Sequence, residues 1–312
     1  MSRAFQFLVQ AREKLYTSGI LPARRLNHPV ISVGNLTVGG NGKTPIVIAL
    51  AQAFREKGFR PVILSRGYGR TSRGVLLAGS NWEEAGDEPL LMKRRLGNVP
   101  VVVGSDRYEA GLFAESRDLG NVFILDDGFQ HRRLYRHVDL VAIDPIEWSA
   151  GETLLPRGRW REPKSALRRA HAACVQDSDS AAIEPLPIPT FALRYQIEGL
   201  YSADTLVSSE SLKGLAVVAF AGIAKPERFF RTLKSMEIHP IKSVVFRDHH
   251  HYSRRDIEKL GGDLLITTEK DAVRLAEVTD RSYSYVRISA NIANFERLMS
   301  LIMGRLPSPD AC

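Results

Sequence analysis

The sequence predicts an α/β protein: a mostly parallel sheet with helices on both faces, followed by a smaller C-terminal α/β domain. Three observations carry this. Short β-branched runs recur along the chain and alternate with amphipathic stretches such as 44–57 and 226–235. The 312 residues are about twice the roughly 150 of a common domain. The stretch 177–189 (DSDSAAIEPLPIP) is polar and then proline-rich, and it interrupts the alternation.

Taken in order, residues 1–22 read as an amphipathic helix. Ala4, Leu8, Ala11 and Leu15 share one face, flanked by Phe5, Val9 and Tyr16. Arg3, Gln6, Gln10, Glu13 and Lys14 lie largely away from it, and Gly19 and Pro22 stop the helix. Such a helix suits a membrane surface, with Arg24 and Arg25 meeting anionic lipid; the pattern equally suits packing on its own domain. The main domain, 23–185, carries expected strands at 29–33, 61–65, 99–104, 122–126, 138–144 and 172–176. A linker is expected over 186–211, with a short strand at 190–195. The smaller domain, 212–312, carries strands at 215–221, 241–246, 263–267 and 283–288.

Apolar residues make up 44% and charged residues 25%, an ordinary globular balance that excludes wholesale disorder. Two cysteines, Cys174 and Cys312, exclude a disulfide framework and a four-thiolate zinc site. No segment approaches the ~18 consecutive apolar residues of a membrane span. The net charge of +8 favours acidic partners. Nucleic acid is not expected among them, because no RNA-binding aromatic signature or zinc finger is present. Nothing points to an obligate protein partner.

The most informative stretch runs from Val30 to Pro45, VISVGNLTVGGNGKTP. An apolar strand enters a Gly-rich loop, and Lys43-Thr44 opens a helix of apolar period, the context in which a phosphate-binding P-loop is credible. Gly39, Gly40 and Gly42, with Asn41 between them, let successive N–H groups converge on phosphate oxygens. Lys43 would neutralise the terminal phosphates and Thr44 would offer its hydroxyl to Mg²⁺. The strict motif has Gly six residues before the Lys; Thr37 stands there and is counted with the loop.

A second apolar run, 122–125, ends in Asp126-Asp127. Mg²⁺ takes one or two carboxylates plus phosphate oxygens, and strand ends are where a sheet presents them. Guanine specificity usually needs Lys and Asp one residue apart, whereas Thr268-Glu269-Lys270-Asp271 has them adjacent. ATP is therefore the expected nucleotide.

With these residues in hand, the chain resembles the tetraacyldisaccharide 4′-kinase family, the lipid A kinases of Gram-negative bacteria. The resemblance spans nearly the whole length: GNLTVGGNGKTP (34–45), LSRGYGR (64–70), GDEP (86–89), LDDGFQHRRL (125–134), LLPRGRWREP (154–163), AGIAKPERFF (221–230), FRDHHHY (246–252) and TTEKDAVRL (267–275). It implies two α/β/α domains with the active site between them. The implied reaction transfers the γ-phosphoryl of ATP to the 4′-hydroxyl of an acylated glucosamine disaccharide 1-phosphate, at the cytoplasmic face of the inner membrane.

The resemblance also implies phosphate contacts for Lys43, Mg²⁺ coordination for Thr44 and the Asp126–Asp127 pair, and a catalytic pair of Asp87 and His249. The pair makes chemical sense, because a sugar hydroxyl needs its proton taken as it attacks phosphorus. A carboxylate beside His249 is expected to fix its tautomer and favour the imidazolium. Read without the resemblance, Asp87 is helix N-terminal chemistry and His249–His251 lead into a helix capped by Ser253. Zinc on that histidine run is rejected, since three consecutive side chains cannot share one strand face. Arg66, Arg70, Arg157, Arg159 and Arg161 are candidates for anion contacts, and Glu162 for Mg²⁺ or hydroxyl binding. The competing reading is a regulatory P-loop NTPase, a switch or metal-cofactor chaperone. That relative usually carries Lys where Val38 stands.

Overall fold

The computed structural model describes residues 2–40, 42–177 and 183–307. Helix α1 (Ser2–Thr17) leads, followed by β1 (Val30–Gly34), α2 (Lys43–Glu56), β2 (Pro61–Ser65), β3 (Leu76–Leu77), α3 (Trp82–Ala85) and α4 (Asp87–Leu96). Next come β4 (Val101–Val103), α5 (Arg107–Ser116), β5 (Val122–Asp126), β6 (Val138–Ile143), α6 (Pro145–Ser149) and β7 (Ala172–Gln176). After β8 (Thr190–Ser202) and β9 (Thr205–Val207), the second half holds β10 (Val217–Ala221), α7 (Pro226–Ser235), β11 (Lys242–Val245) and α8 (Arg254–Glu258). It ends with β12 (Leu264–Thr268), α9 (Glu269–Leu275), β13 (Tyr283–Ile292) and α10 (Phe295–Met303).

All these strands join one sheet in the order β11-β10-β12-β13-β8-β7-β6-β1-β5-β2-β4-β3, with β9 on the side of β8. Pairing is parallel except for β3–β4, β8–β9 and β8–β13. β1 lies between β5 and β6, and Val33 is level with Asp126 and Leu140. The loop after β1 and the acidic end of β5 therefore leave the same edge of the sheet, where α/β folds gather ligands.

The expected linker is where the structure differs most from the sequence reading. β8 pairs in parallel with β7 through Thr190–Leu193 and antiparallel with β13 through Leu193–Tyr201. It hydrogen-bonds to both halves of the sheet. The alternation of Phe191, Leu193, Tyr195 and Ile197 with polar residues carries the expected strand at 190–195; Gly199 ends that alternation, and the β13 register slips between Arg287 and Ile288, so the second half of β8 goes unread.

Helices cover both faces. On one, Ile46, Leu50 and Phe54 of α2 pack with Leu90 and Met92 of α4 and with Leu298, Met299 and Ile302 of α10. The last helix thus returns to the first half of the chain. Phe54 is fully buried, contributing about 2–3 kcal/mol by area removed from water. On the other face, Ala110 and Ala114 of α5 cover Val62, Leu64, Phe123 and Leu125. The second half repeats the layering, with Phe229 and Leu233 on one side and Ile257 and Leu275 on the other.

Candidate active site

The glycine-rich loop is tied down at its start and open at its end. β1 stops at Gly34, where a Cβ would overlap Phe129 and its backbone N–H. The Val38 N–H donates to the Arg159 carbonyl at 2.7 Å, and the Arg159 guanidinium donates back to the Val38 carbonyl at 2.9 Å. Thr37 is buried, and its hydroxyl donates to Glu147 at 2.6 Å, so this predicted loop residue braces the loop from behind. Gly42 takes φ +66° and precedes α2 without a side-chain cap. Its neighbours Lys43 and Thr44 line the cleft. The free N–H groups and positive end of α2 are the elements of an anion site. Tyr195 of β8 donates to the Gly42 carbonyl at 3.3 Å. The predicted Asn41 lies outside the described residues.

Asp126 and Asp127 stand beside this loop with opposite electrostatics. Lys43 Nζ is 3.3 Å from Asp127, and Arg161 holds the same carboxylate at 2.8 and 2.9 Å. Burial alone would raise the Asp127 carboxyl; Lys43 and Arg161 overcome it and hold the group at about 2. Asp126 is fully buried, and burial, reinforced by Glu88 and Asp127, pushes its carboxyl up to about 7. Its Oδ2 accepts from Ser65 at 3.0 Å, while Oδ1 is buried without a hydrogen-bond partner. An orphaned carboxylate oxygen, a second carboxylate at Asp127 and the hydroxyl of Thr44 in the same cleft are a donor set that fits a hard divalent cation. Asp127 sits at φ +52°, a left-handed conformation held by the packing around it.

Across the cleft, His249 Nδ1 is 2.9 Å from Asp87 Oδ2. Asp87 is the first residue of α4, and its Oδ1 accepts from the Glu88 N–H at 2.8 Å. Its side chain is 4% exposed and recessed behind His249, which is 26% exposed and lines the cleft. His249 also has positive φ, +55°. Burial would raise the Asp87 carboxyl, but Lys270 first, then His249 and Arg274, bring it down to about 2. Ser253 caps α8 in a capping box with Asp256, as the local sequence suggests.

Lys43, Thr44, Asp126, Asp127 and His249 share one cleft of about 1750 Å³, which also takes in Arg66, Tyr68, Arg107, Arg159, Arg161 and Glu162. Arg70 instead binds the Gly74 and Val103 carbonyls, and Arg157 is exposed. Glu162 is buried against Arg169. At one end of the cleft, α1 docks through its polar side: Arg12 donates to the Gln130 carbonyl at 2.6 Å, and Glu13 takes Arg132 at 2.9 Å and Arg169 at 3.1 Å. Phe7, Ile20 and Leu21 stay exposed.

Sequence reasoning missed the charges that join the halves. Asp144 accepts from Lys225 at 2.7 Å and Arg228 at 2.5 Å, and Lys225 also reaches Glu147 at 2.7 Å. Arg95 bridges Glu269 and Glu198. Lys270 contacts Glu88 at 2.9 Å and His249 Nε2 at 3.3 Å. Lys270 stands in a stretch read only for base specificity; the signal available was its place in the TTEKDAVRL motif.

A family model described as tetraacyldisaccharide-1-P 4′-kinase matches residues 1–306. The chain belongs to that family. Among its relatives, the tetraacyldisaccharide 4′-kinase of Koribacter versatilis is 41% identical over 297 residues, covering 90% of this chain and 89% of that one. That of Aquifex aeolicus is 39% identical over 285 residues, covering 88% of each. The crystal structure of Aquifex aeolicus LpxK in complex with ATP superposes with a TM-score of 0.86 at 36% identity, over 98% of this chain and 97% of that one. The mostly parallel sheet with helices on both faces is thus the fold of this kinase family.

Proposed function

We propose that this protein is an ATP-dependent kinase that phosphorylates the 4′-hydroxyl of an acylated glucosamine disaccharide 1-phosphate in lipid A biosynthesis. The observation that carries the reading is a single cleft with two chemically different walls. One presents Lys43, Thr44, Asp126 and Asp127; the other presents His249 backed by Asp87.

In the proposed reaction, Gly39, Gly40, Gly42, Lys43 and the N-terminus of α2 bind the triphosphate. The sugar oxygen attacks the γ-phosphorus, the bond to the β,γ-bridging oxygen breaks, and ADP leaves. The Asp87–His249 pair takes the hydroxyl proton. Asp126, Asp127 and Thr44 would hold Mg²⁺, which offsets charge on the phosphate oxygens when bound. Asp87 is suited to its part because neighbouring cations keep it a carboxylate at neutral pH.

The acceptor is lipid-anchored, so we place the protein at the inner-membrane surface, on its cytoplasmic face. Among the described residues no helix is long and apolar enough to cross a membrane. The docking of α1 by Arg12 and Glu13 leaves Phe7, Ile20 and Leu21 available to an interface. Incubation with γ-labelled ATP and a panel of acylated glucosamine disaccharides tests the reading: label is expected on the lipid, and label released only as free phosphate would overturn it in favour of an NTPase.

A further inference from the structure

Lys270 and Arg274 are four residues apart on α9 and therefore share one face of it. Both cross from the second half of the chain to Asp87 Oδ2, at 3.9 Å from Lys270 Nζ and 3.7 Å from Arg274 Nε. An ammonium has three donors and no lone pair. Its 3.3 Å contact with His249 Nε2 makes that nitrogen the acceptor. The ring proton then lies on Nδ1 and is donated to Asp87.

We infer that Lys270, seconded by Arg274, is a positioning residue for phosphoryl transfer, holding His249 as the neutral Nδ1–H tautomer and Asp87 as the carboxylate. This rests on the reaction proposed above. Arg274 does the backbone part. It is 1% exposed, and it donates to the His250 carbonyl at 2.9 Å and the Gly222 carbonyl at 3.0 Å. The His249 N–H donates to that same Gly222 carbonyl at 3.1 Å, so the left-handed turn at His249 is gripped on both sides. Asp271 anchors Arg274 at 2.5 Å and accepts from Tyr252 at 2.8 Å. Arg274 Nε is buried without a hydrogen-bond partner, on the side of Asp87.

The other groups facing the pair do not supply this effect. Asp248 is 3.8 Å from His249 Nε2 and would draw a proton onto that nitrogen. Tyr68, from the loop after β2, stacks its ring 4.9 Å from the imidazole. Glu88 adds a negative charge and is balanced by Lys270. Without Lys270, a buried carboxyl would face Asp248 and Glu88 with one cation fewer.

The test combines ¹⁵N NMR of histidine-labelled protein with pH–rate profiles of K270M, K270Q and K270R, the His249 signals being identified by their loss in H249Q. In the wild type, Nδ1 is expected to be protonated and Nε2 bare near neutral pH. K270M and K270Q are expected to gain a proton on Nε2 and to lose roughly 10–100-fold in kcat near pH 6, recovering most of it near pH 9. K270R is expected to keep the wild-type acid limb. A wild-type ring protonated on Nε2 would overturn the inference by itself, even if the neutral variants failed to fold. So would neutral variants whose profiles parallel the wild type at every pH. Wild-type protein that phosphorylates no acylated disaccharide would sink the proposed reaction, while the NMR measurement would still report on the tautomer.

Discussion

Lys43 Nζ lies 3.3 Å from Asp127 Oδ1, so the cation that ends the glycine-rich loop faces the carboxylate at the exit of β5. A triphosphate entering the cleft competes with Asp127 for that ammonium. Lys43→Ala is expected to lower phosphoryl transfer by roughly 10²–10³-fold, the usual loss for one preorganised donor. Circular dichroism should find the fold intact, and retained turnover would defeat the loop assignment.

Asp87 and His249 are 2.9 Å apart and form one unit. Removing either by alanine substitution is expected to cost about 10²–10⁴ in kcat. The double variant should lose little more, because members of one unit are strongly non-additive. Single-turnover measurements on the three proteins check this; losses that multiply in full would mean separate roles.

The carboxyl of Asp87, held at about 2, makes stability depend on pH. Its folded value lies below the ordinary 3.8 of an aspartate, so its contribution is complete above about pH 4. It is lost as pH falls through 2. The magnitude is on the order of 2 kcal/mol. D87N should flatten the dependence of Tm on pH between about 4 and 2; an unchanged slope would reject the assignment.

Gly34 ends β1 against Phe129, with no space for a Cβ beside the Phe129 backbone. Gly34→Ala is expected to destabilise by about 1–3 kcal/mol, the cost of overpacking a rigid contact. Chemical denaturation measures it, and a neutral substitution would mean that the β5 exit loop yields easily.

Deletion of residues 1–20 removes Arg12 and Glu13 from the cleft rim and Phe7 and Ile20 from the surface. Partition into anionic liposomes is expected to fall markedly while nucleotide binding persists. Undiminished partition would assign membrane contact elsewhere.

Strands that are short, continuous apolar runs were legible: 61–65, 122–126 and 172–176 match β2, β5 and β7 residue for residue. So was the P-loop, because Lys43-Thr44 opens an apolar-periodic helix. β8 was only partly legible, since its second half is held by β13 on one side and β9 on the other and carries little alternation of its own. β3 and β9, two and three residues long, lack the length for any periodic signal. Lys270 and Arg274 escaped notice for a related reason: their meaning lies in a carboxylate more than 180 positions away, a proximity that only the tertiary fold creates.

The return of α10 to the first half bears on how the chain is made. A ribosome that has completed β1 through β7 has yet to emit the segment that covers Phe54 and flanks β8. Until those final residues emerge, the nascent polypeptide exposes a greasy surface and a row of unsatisfied peptide groups, which invites chaperones and mispairing. Completion of the first half therefore waits until β13 and α10 have been synthesised, and a chain cut after β7 is expected to be poorly soluble.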